Sequence, residues 1–219
     1  RRRCNHMSLN LINGVFYSEH KLEGIDNEAL IKEVTNTYLN GDSNIKGDRP
    51  HPNEVDVQNT FYEDCPISQA YREQFNKTLM PICDTYFGER SFKLSEIWGH
   101  FTKPLDSTMV HDHANDDGVP ALSWVYYPHQ PEESGNIHFI TSANDQRVTY
   151  EVDVKAGHLY MFSPSILHYV PRNGSGVNRV SISGNIIGTD QYKNILMDDE
   201  EFNNNYWYYV GRNDTPPFV

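Results

Sequence analysis

Apolar residues recur at helical spacing in two places in the first part of the chain. Between residues 26 and 39, Leu30, Ile31, Val34 and Tyr38 fall on one face, with Asp26 or Asn27 placed to cap the first turn and Gly41-Asp42 to stop the last. Between residues 66 and 86, Tyr71, Phe75, Leu79, Ile82 and Tyr86 form a second stripe, which Gly88 ends. Such stripes predict helices packed on a sheet. The polar stretch between them, residues 40–56 with Gly41, Gly47, Pro50 and Pro52, has loop composition and the length of a surface or lid loop.

From residue 91 to 187 the pattern changes to short runs rich in Val, Ile, Tyr, Phe and Thr, separated by Gly, Pro, Asn and Asp. Runs at 92–103, 121–127, 136–141, 147–152, 158–163, 166–171 and 177–187 predict strands, in the number and length of a double-sheet jelly roll. The expected fold is mainly β, with the two N-terminal helices packed on one outer face. One domain is expected over 1–219: helical and loop support in 1–90, the β core in 91–187, and a tail in 188–219. The tail is acidic, then aromatic at Tyr206, Trp207, Tyr208 and Tyr209, then Pro-rich; it could dock on the domain, bind a partner, or pair with a second copy as a homodimer.

Charge narrows the partners. Lys plus Arg number 18 against 30 for Asp plus Glu, a net charge of −12 that repels phosphate backbones and anionic lipid surfaces. Neither nucleic acid nor a membrane is expected as a partner. The basic run Arg1, Arg2 and Arg3 is not followed by the continuous apolar stretch that a signal peptide or membrane span needs. The residues ahead of Met7 are set aside from the fold. Cys4, Cys65 and Cys83 are odd in number and widely spaced, which indicates neither a disulfide framework nor a thiolate zinc site and fits a reducing, cytoplasmic setting. Cys83, among Met80, Ile82 and Tyr86, reads as a buried structural thiol.

Chemistry enters with the histidines. In an extended strand alternate side chains share a face, so His111 and His113 can both reach one metal ion. Alone the pair is weak, because 10 histidines in 219 positions give about 0.5 such pairs by chance. His168 adds weight: it lies in an apolar strand context where an imidazole needs a partner, and a metal would supply one. Eleven residues on, Arg179, Ser181 and Ser183 alternate with Val180 and Ile182, so one strand face is oily and the other turns a guanidinium and two hydroxyls inward. An inward arginine requires an anion, and its planar fork fits a carboxylate. The bland explanation is an internal salt bridge to one of the chain's many acidic residues.

Taken in order, these residues resemble the Fe(II)- and 2-oxoglutarate-dependent oxygenases, nearest to their prolyl-hydroxylase-like branch and its marine bacterial and phage members. The motifs that carry the resemblance are His111-Asp112-His113, Ser123-Trp124-Val125-Tyr126-Tyr127, Ser134-Gly135, the segment from Gly157 to Phe162, His168, and Arg179-Val180-Ser181. They span roughly residues 98–185. The resemblance implies a cupin-like double-stranded β-helix. It implies that His111, His113 and His168 hold the metal, and that Arg179, helped by Ser181 and Tyr127, holds the far carboxylate of 2-oxoglutarate. The cofactor would be Fe(II), with 2-oxoglutarate and molecular oxygen consumed to hydroxylate a peptidyl side chain, an amino acid or a small metabolite. Three protein ligands on one face leave positions for a bidentate keto acid and for oxygen.

One departure stands out. The family's carboxylate position holds His113, so the triad is neutral unless Asp112 is turned inward by a bulge or Asp116 or Asp117 reaches in from the following loop. A three-histidine, cupin-like dioxygenase that needs no 2-oxoglutarate is the second enzyme reading, and a jelly-roll module with a structural metal is the non-enzymatic one. His100, His138 and His158 either line the barrel or cap strands, the local structural role being the expected one, and Trp98 and Trp124 are expected to belong to the core rather than to a substrate platform. Residues 40–56 and 114–120 are the candidate substrate gates.

Overall fold

The computed structural model describes residues 8–12, 15–40, 64–87, 92–113, 120–143 and 146–188. The candidate gates over 41–56 and 114–119, the residues Asp116 and Asp117, and the aromatic tail lie outside the described residues. In chain order the elements are β1 (Ser8–Ile12), β2 (Val15–Lys21), α1 (Asn27–Asn40), β3 (Asp64–Pro66), α2 (Gln69–Phe87), β4 (Phe92–Thr102), β5 (Thr108–His111), β6 (Leu122–Tyr127), β7 (Ile137–Ala143), β8 (Gln146–Val152), β9 (His158–Phe162), β10 (Leu167–Val170) and β11 (Arg179–Gly188). Both expected helices are present, and the cap is Asp26, whose Oδ1 accepts the Ala29 amide at 3.1 Å. The second helix begins three residues later than its apolar stripe predicts, because Pro66 is taken by β3, which pairs with β4.

Among the described residues every strand pairing is antiparallel, and two sheets result. The larger runs β1-β2-β9-β6-β11-β4-β3 and the smaller β5-β10-β7-β8. The sequence pattern misses β1, β2, β3 and β5. The N-terminal region is therefore more than helical support, since it supplies three strands of the larger sheet.

Strand alternation then divides the core in two. On the outer face of the larger sheet, Ile97, Phe101, Leu122, Trp124, Tyr126, Val180, Ile182 and Ile186 meet Leu30 and Val34 of α1 and Phe75, Leu79 and Cys83 of α2. The helices thus cover one face, as expected. Burial pushes the Cys83 thiol up to about 12, which leaves it an inert packing group. On the inner face, Tyr17, Val125, Tyr127, Tyr160 and Phe162 pack against Ile137, Phe139, Val152 and Val170 of the smaller sheet. The candidate site opens within this second layer.

Close packing on the helix side depends on a glycine. A Cβ at Gly184 would stand 2.6 Å from Cζ2 of Trp124 and run into the Glu96 carbonyl oxygen. Gly184→Ala is expected to cost about 1–3 kcal/mol of stability, the usual penalty for overpacking a core. Urea unfolding checks this, and an unchanged midpoint would show that Trp124 yields freely.

Candidate metal centre and acid-binding cavity

The three histidines meet at the edge of the smaller sheet. His111 ends β5 and stands opposite His168 of β10 in the antiparallel register. His113 lies beyond the strand end, where its backbone N–H donates to the Pro164 carbonyl at 2.8 Å and ties it to the turn before β10. One nitrogen from each of the three rings lies within 4.8 Å of the others. Ring centroids are 4.2 Å apart for His111 and His168, 5.2 Å for His111 and His113, and 5.3 Å for His113 and His168.

Their tautomers follow from their neighbours. His111 Nδ1 lies 2.8 Å from the Met109 carbonyl oxygen and His168 Nδ1 lies 2.9 Å from that of Ile166. A carbonyl can only accept, so in both rings Nδ1 carries the proton and Nε2 keeps its lone pair. This is the backbone anchoring that fixes ligating histidines in metal proteins. A bulge in β5 completes the edge: His111 pairs with His168 but Thr108 pairs with Val170, three residues on one strand against two on the other. His111 and Thr108 both line the cavity as a result, while Met109 and Val110 face solvent. Asp112 is not part of the histidine cluster.

Arg179 lines the same cavity, at the start of β11 opposite Thr102 of β4. It is 1% exposed. Its Nη1 donates to the carbonyl oxygens of Ser134 at 2.8 Å and Gly135 at 3.1 Å, and its Nη2 donates to Thr102 Oγ1 at 3.3 Å. The turn that presents these carbonyls passes through left-handed backbone at Glu133 (φ 61°) and Gly135 (φ 90°), and a Cβ at Gly135 would meet the Pro171 oxygen at 2.8 Å. No carboxylate pairs with Arg179 among the described residues, which removes the internal salt bridge as an explanation there. Its Nε is buried without a hydrogen-bond partner. Burial lowers the guanidinium's pKa, and the site gives back only the weak influence of Tyr127.

Tyr127 and Ser181, expected beside Arg179, line the cavity with it. Burial raises the Tyr127 hydroxyl to about 12, so it stays protonated and can donate. The cavity, its open mouth included, holds about 460 Å³ of empty space.

Trp98 and His100 also face this space. Trp98 is cavity wall rather than simple core, with its ring centroid 6.1 Å from that of His113. His100 is a fourth histidine of the wall, and Thr102 supports Arg179. The signal was present in the alternation of Trp98, His100 and Thr102 with Ile97, Gly99 and Phe101. Trp124 packs against Phe75 on the helix side, as expected of a core residue, and also borders the cavity. His138 and His158 are satisfied locally by the carbonyls of Asn136 and Ala156.

Burial makes the apoprotein sensitive to acid. It lowers His20 to about 4 and His100 to about 3, and holds His168 well below 6.5. The folded state disfavours the protonated rings, so below pH 6.5 the unfolded chain binds protons first. The stabilisation is complete above about 6.5 and is lost as the pH falls toward the folded values. At about 1.4 kcal/mol per pKa unit, the metal-free protein should lose several kcal/mol between pH 6.5 and 4. Thermal unfolding after chelation checks the slope, and His20→Gln, away from the cavity, should flatten it.

No protein-family model and no curated protein sequence matches the chain. Among solved structures it is similar to the non-heme alpha ketoglutarate dependent epimerase SnoN from nogalamycin biosynthesis, with a TM-score of 0.57 and 13% identity over 78% of this chain and 77% of that one. It is also similar to a prolyl hydroxylase from Trichoplax adhaerens, solved with a hypoxia inducible factor peptide fragment, with a TM-score of 0.56 and 13% identity over 83% and 87% of the two chains. A prolyl-4-hydroxylase from Pseudomonas putida gives 0.51 and 17% over 78% and 92%. The likeness shows that this chain has the jelly-roll fold of those oxygenases.

Proposed function

We propose that the protein is an Fe(II)- and 2-oxoglutarate-dependent dioxygenase. The observation that carries this reading is the pairing of two features in one cavity: three converging histidines and a buried arginine whose Nε has no hydrogen-bond partner. The donor set fits a first-row divalent metal, since the imidazoles are neutral, two have their second nitrogen anchored, and an open cavity adjoins them. Bound there, Fe(II) would supply oxygen activation coupled to oxidative decarboxylation: substrate C–H, 2-oxoglutarate and O₂ become substrate C–OH, succinate and CO₂.

His111, His113 and His168 would hold the metal, the first and last through rings already oriented by backbone carbonyls. Arg179 would take the distal carboxylate of 2-oxoglutarate on its Nε–Nη2 edge, because Nη1 is committed to Ser134 and Gly135. Tyr127 and Ser181 add hydroxyl donors to the same wall. The apolar surround of Phe139, Phe162 and Val170 restricts water. A three-histidine dioxygenase without 2-oxoglutarate draws support from His113 in the carboxylate position, but it leaves the buried charge of Arg179 with no anionic partner among the described residues.

The test is anaerobic loading with Fe(II), then 2-oxoglutarate, watching for the weak visible charge-transfer band of a chelated keto acid. The band is expected. Its absence from protein shown to hold iron would remove the cosubstrate and leave the three-histidine reading.

A further inference from the structure

The connection from β6 to β7, residues 128–136, grips Arg179 at both its main chain and its head group. On the main-chain side, β6 and β11 pair from Leu122 and Ile186 to Tyr126 and Ile182. The next pair in that register would be Pro128 and Val180, and Pro128 has no N–H to give. His129 fills the gap: the Val180 N–H, one residue beyond Arg179, donates to its Nε2 at 2.9 Å. Accepting that bond requires a lone pair on Nε2, so the ring is neutral and its proton sits on Nδ1. Burial and the charge of Arg179 both lower the His129 pKa, which favours that form.

The head group is held through the same connection. Arg179 Nη1 donates to the carbonyls of Ser134 and Gly135, and these are themselves braced. The Ser134 N–H closes the turn on the Pro131 oxygen at 3.1 Å, and the Gly174 N–H ties the Glu133 oxygen to the loop before β11 at 2.9 Å. Gln130 Nε2 donates at 3.0 Å to the same Gly135 oxygen that Arg179 uses. For this contact its other end goes unsatisfied, since Gln130 Oε1 is buried without a hydrogen-bond partner, an arrangement that costs stability. Neither His129 nor Gln130 lines the cavity, so what they do to a ligand they do through Arg179.

We propose that His129 and Gln130 are positioning residues that fix the reach of Arg179, and that they thereby set the length of diacid the cavity accepts: 2-oxoglutarate over 2-oxoadipate, its homologue one methylene longer. The proposal rests on the reading of the cavity as a 2-oxoglutarate site. An acid held by the metal at its keto end and by Arg179 at its far carboxylate is measured between two points. A guanidinium free to swing accommodates either length, whereas one restrained at its strand amide and at its head group favours one. In a site of fixed shape a single methylene is worth about 10–200-fold.

The test titrates Fe(II)-loaded full-length protein anaerobically with each keto acid, following the visible band in the wild type, His129→Phe, His129→Gln and Gln130→Met. The wild type should prefer 2-oxoglutarate by about tenfold or more. His129→Phe keeps a planar ring but removes the acceptor; it should keep its iron, bind 2-oxoglutarate about tenfold more weakly and lose most of the length preference. His129→Gln can offer Oε1 to the Val180 N–H and should recover most of both. A packing role predicts the opposite order, because Phe is nearer to His in shape. Gln130→Met removes the unsatisfied Oε1, so its urea midpoint should hold or rise while its length preference falls. That arm stands even if His129→Phe fails to fold. A wild-type preference retained in every variant that folds, a Phe variant that outperforms the Gln variant, or a wild type that binds both acids equally overturns the proposal and leaves the cosubstrate reading in place. A wild type that holds iron but shows no band with either acid overturns both.

Discussion

His168→Ala is expected to abolish stoichiometric Fe(II) binding, with an affinity loss well beyond the ~100-fold seen when only the residue behind a metal ligand is removed. His168 is central to the site: it stands opposite His111 in the strand register, its ring is packed by Phe162 at 4.9 Å and Phe139 at 6.3 Å, and its Nδ1 is held by the Ile166 carbonyl. Removing it leaves two imidazoles, which are too few to hold iron against chelation by buffer. The metal-free variant should also resist acid better than the wild-type apoprotein, because a buried imidazole whose pKa is driven below 6.5 has gone. Iron determination after anaerobic loading and desalting provides the check. One iron per chain in the alanine variant would show that the metal is held elsewhere. His113→Asp makes the complementary test, since it converts the neutral triad to two histidines and a carboxylate and should keep iron.

How much of this was legible in the sequence differs from residue to residue. His111 and His113 were readable as a pair from strand parity, yet the structure brings His113 in from beyond the strand end by a hydrogen bond to the Pro164 oxygen. That bond joins segments more than fifty residues apart, and no local pattern announces it. The inward set of β11 was readable because Val180 and Ile182 alternate with Arg179 and Ser181, and the structure buries both faces accordingly. The arginine's carbonyl cradle was not readable, since it depends on a turn 44 and 45 residues away. β5 escaped because four residues carrying a bulge lack clean alternation, so Thr108 and His111 share a face that their spacing denies them. β1 and β2 were within reach, for they flank Asn13-Gly14, a dipeptide that favours two-residue hairpins.

Arg179→Met should leave iron binding intact and weaken 2-oxoglutarate by at least about 100-fold, since a two-point charge-assisted contact to a carboxylate is worth about 3 kcal/mol or more where no second cation shares the load. Among the described residues, no Lys or other Arg lines the cavity, so nothing there can take over. Arg179→Lys keeps the charge but loses the planar fork that reaches Ser134, Gly135 and Thr102 together, and should fall between the two. The substitution affects the free protein less than the complex. A guanidinium at 1% exposure with no carboxylate partner among the described residues is held against its own desolvation, and an apolar side chain of similar length is released from that cost while the two turn carbonyls lose their donor. The ligand therefore shows up more clearly in linkage than in apoprotein stability: Fe(II) with excess 2-oxoglutarate should raise the wild-type melting temperature and leave that of Arg179→Met near its iron-only value. Anaerobic titration of the visible band and melting curves with and without the keto acid both read this out. If the methionine variant binds 2-oxoglutarate as the wild type does, Arg179 is a structural charge and the acid must be held by other groups.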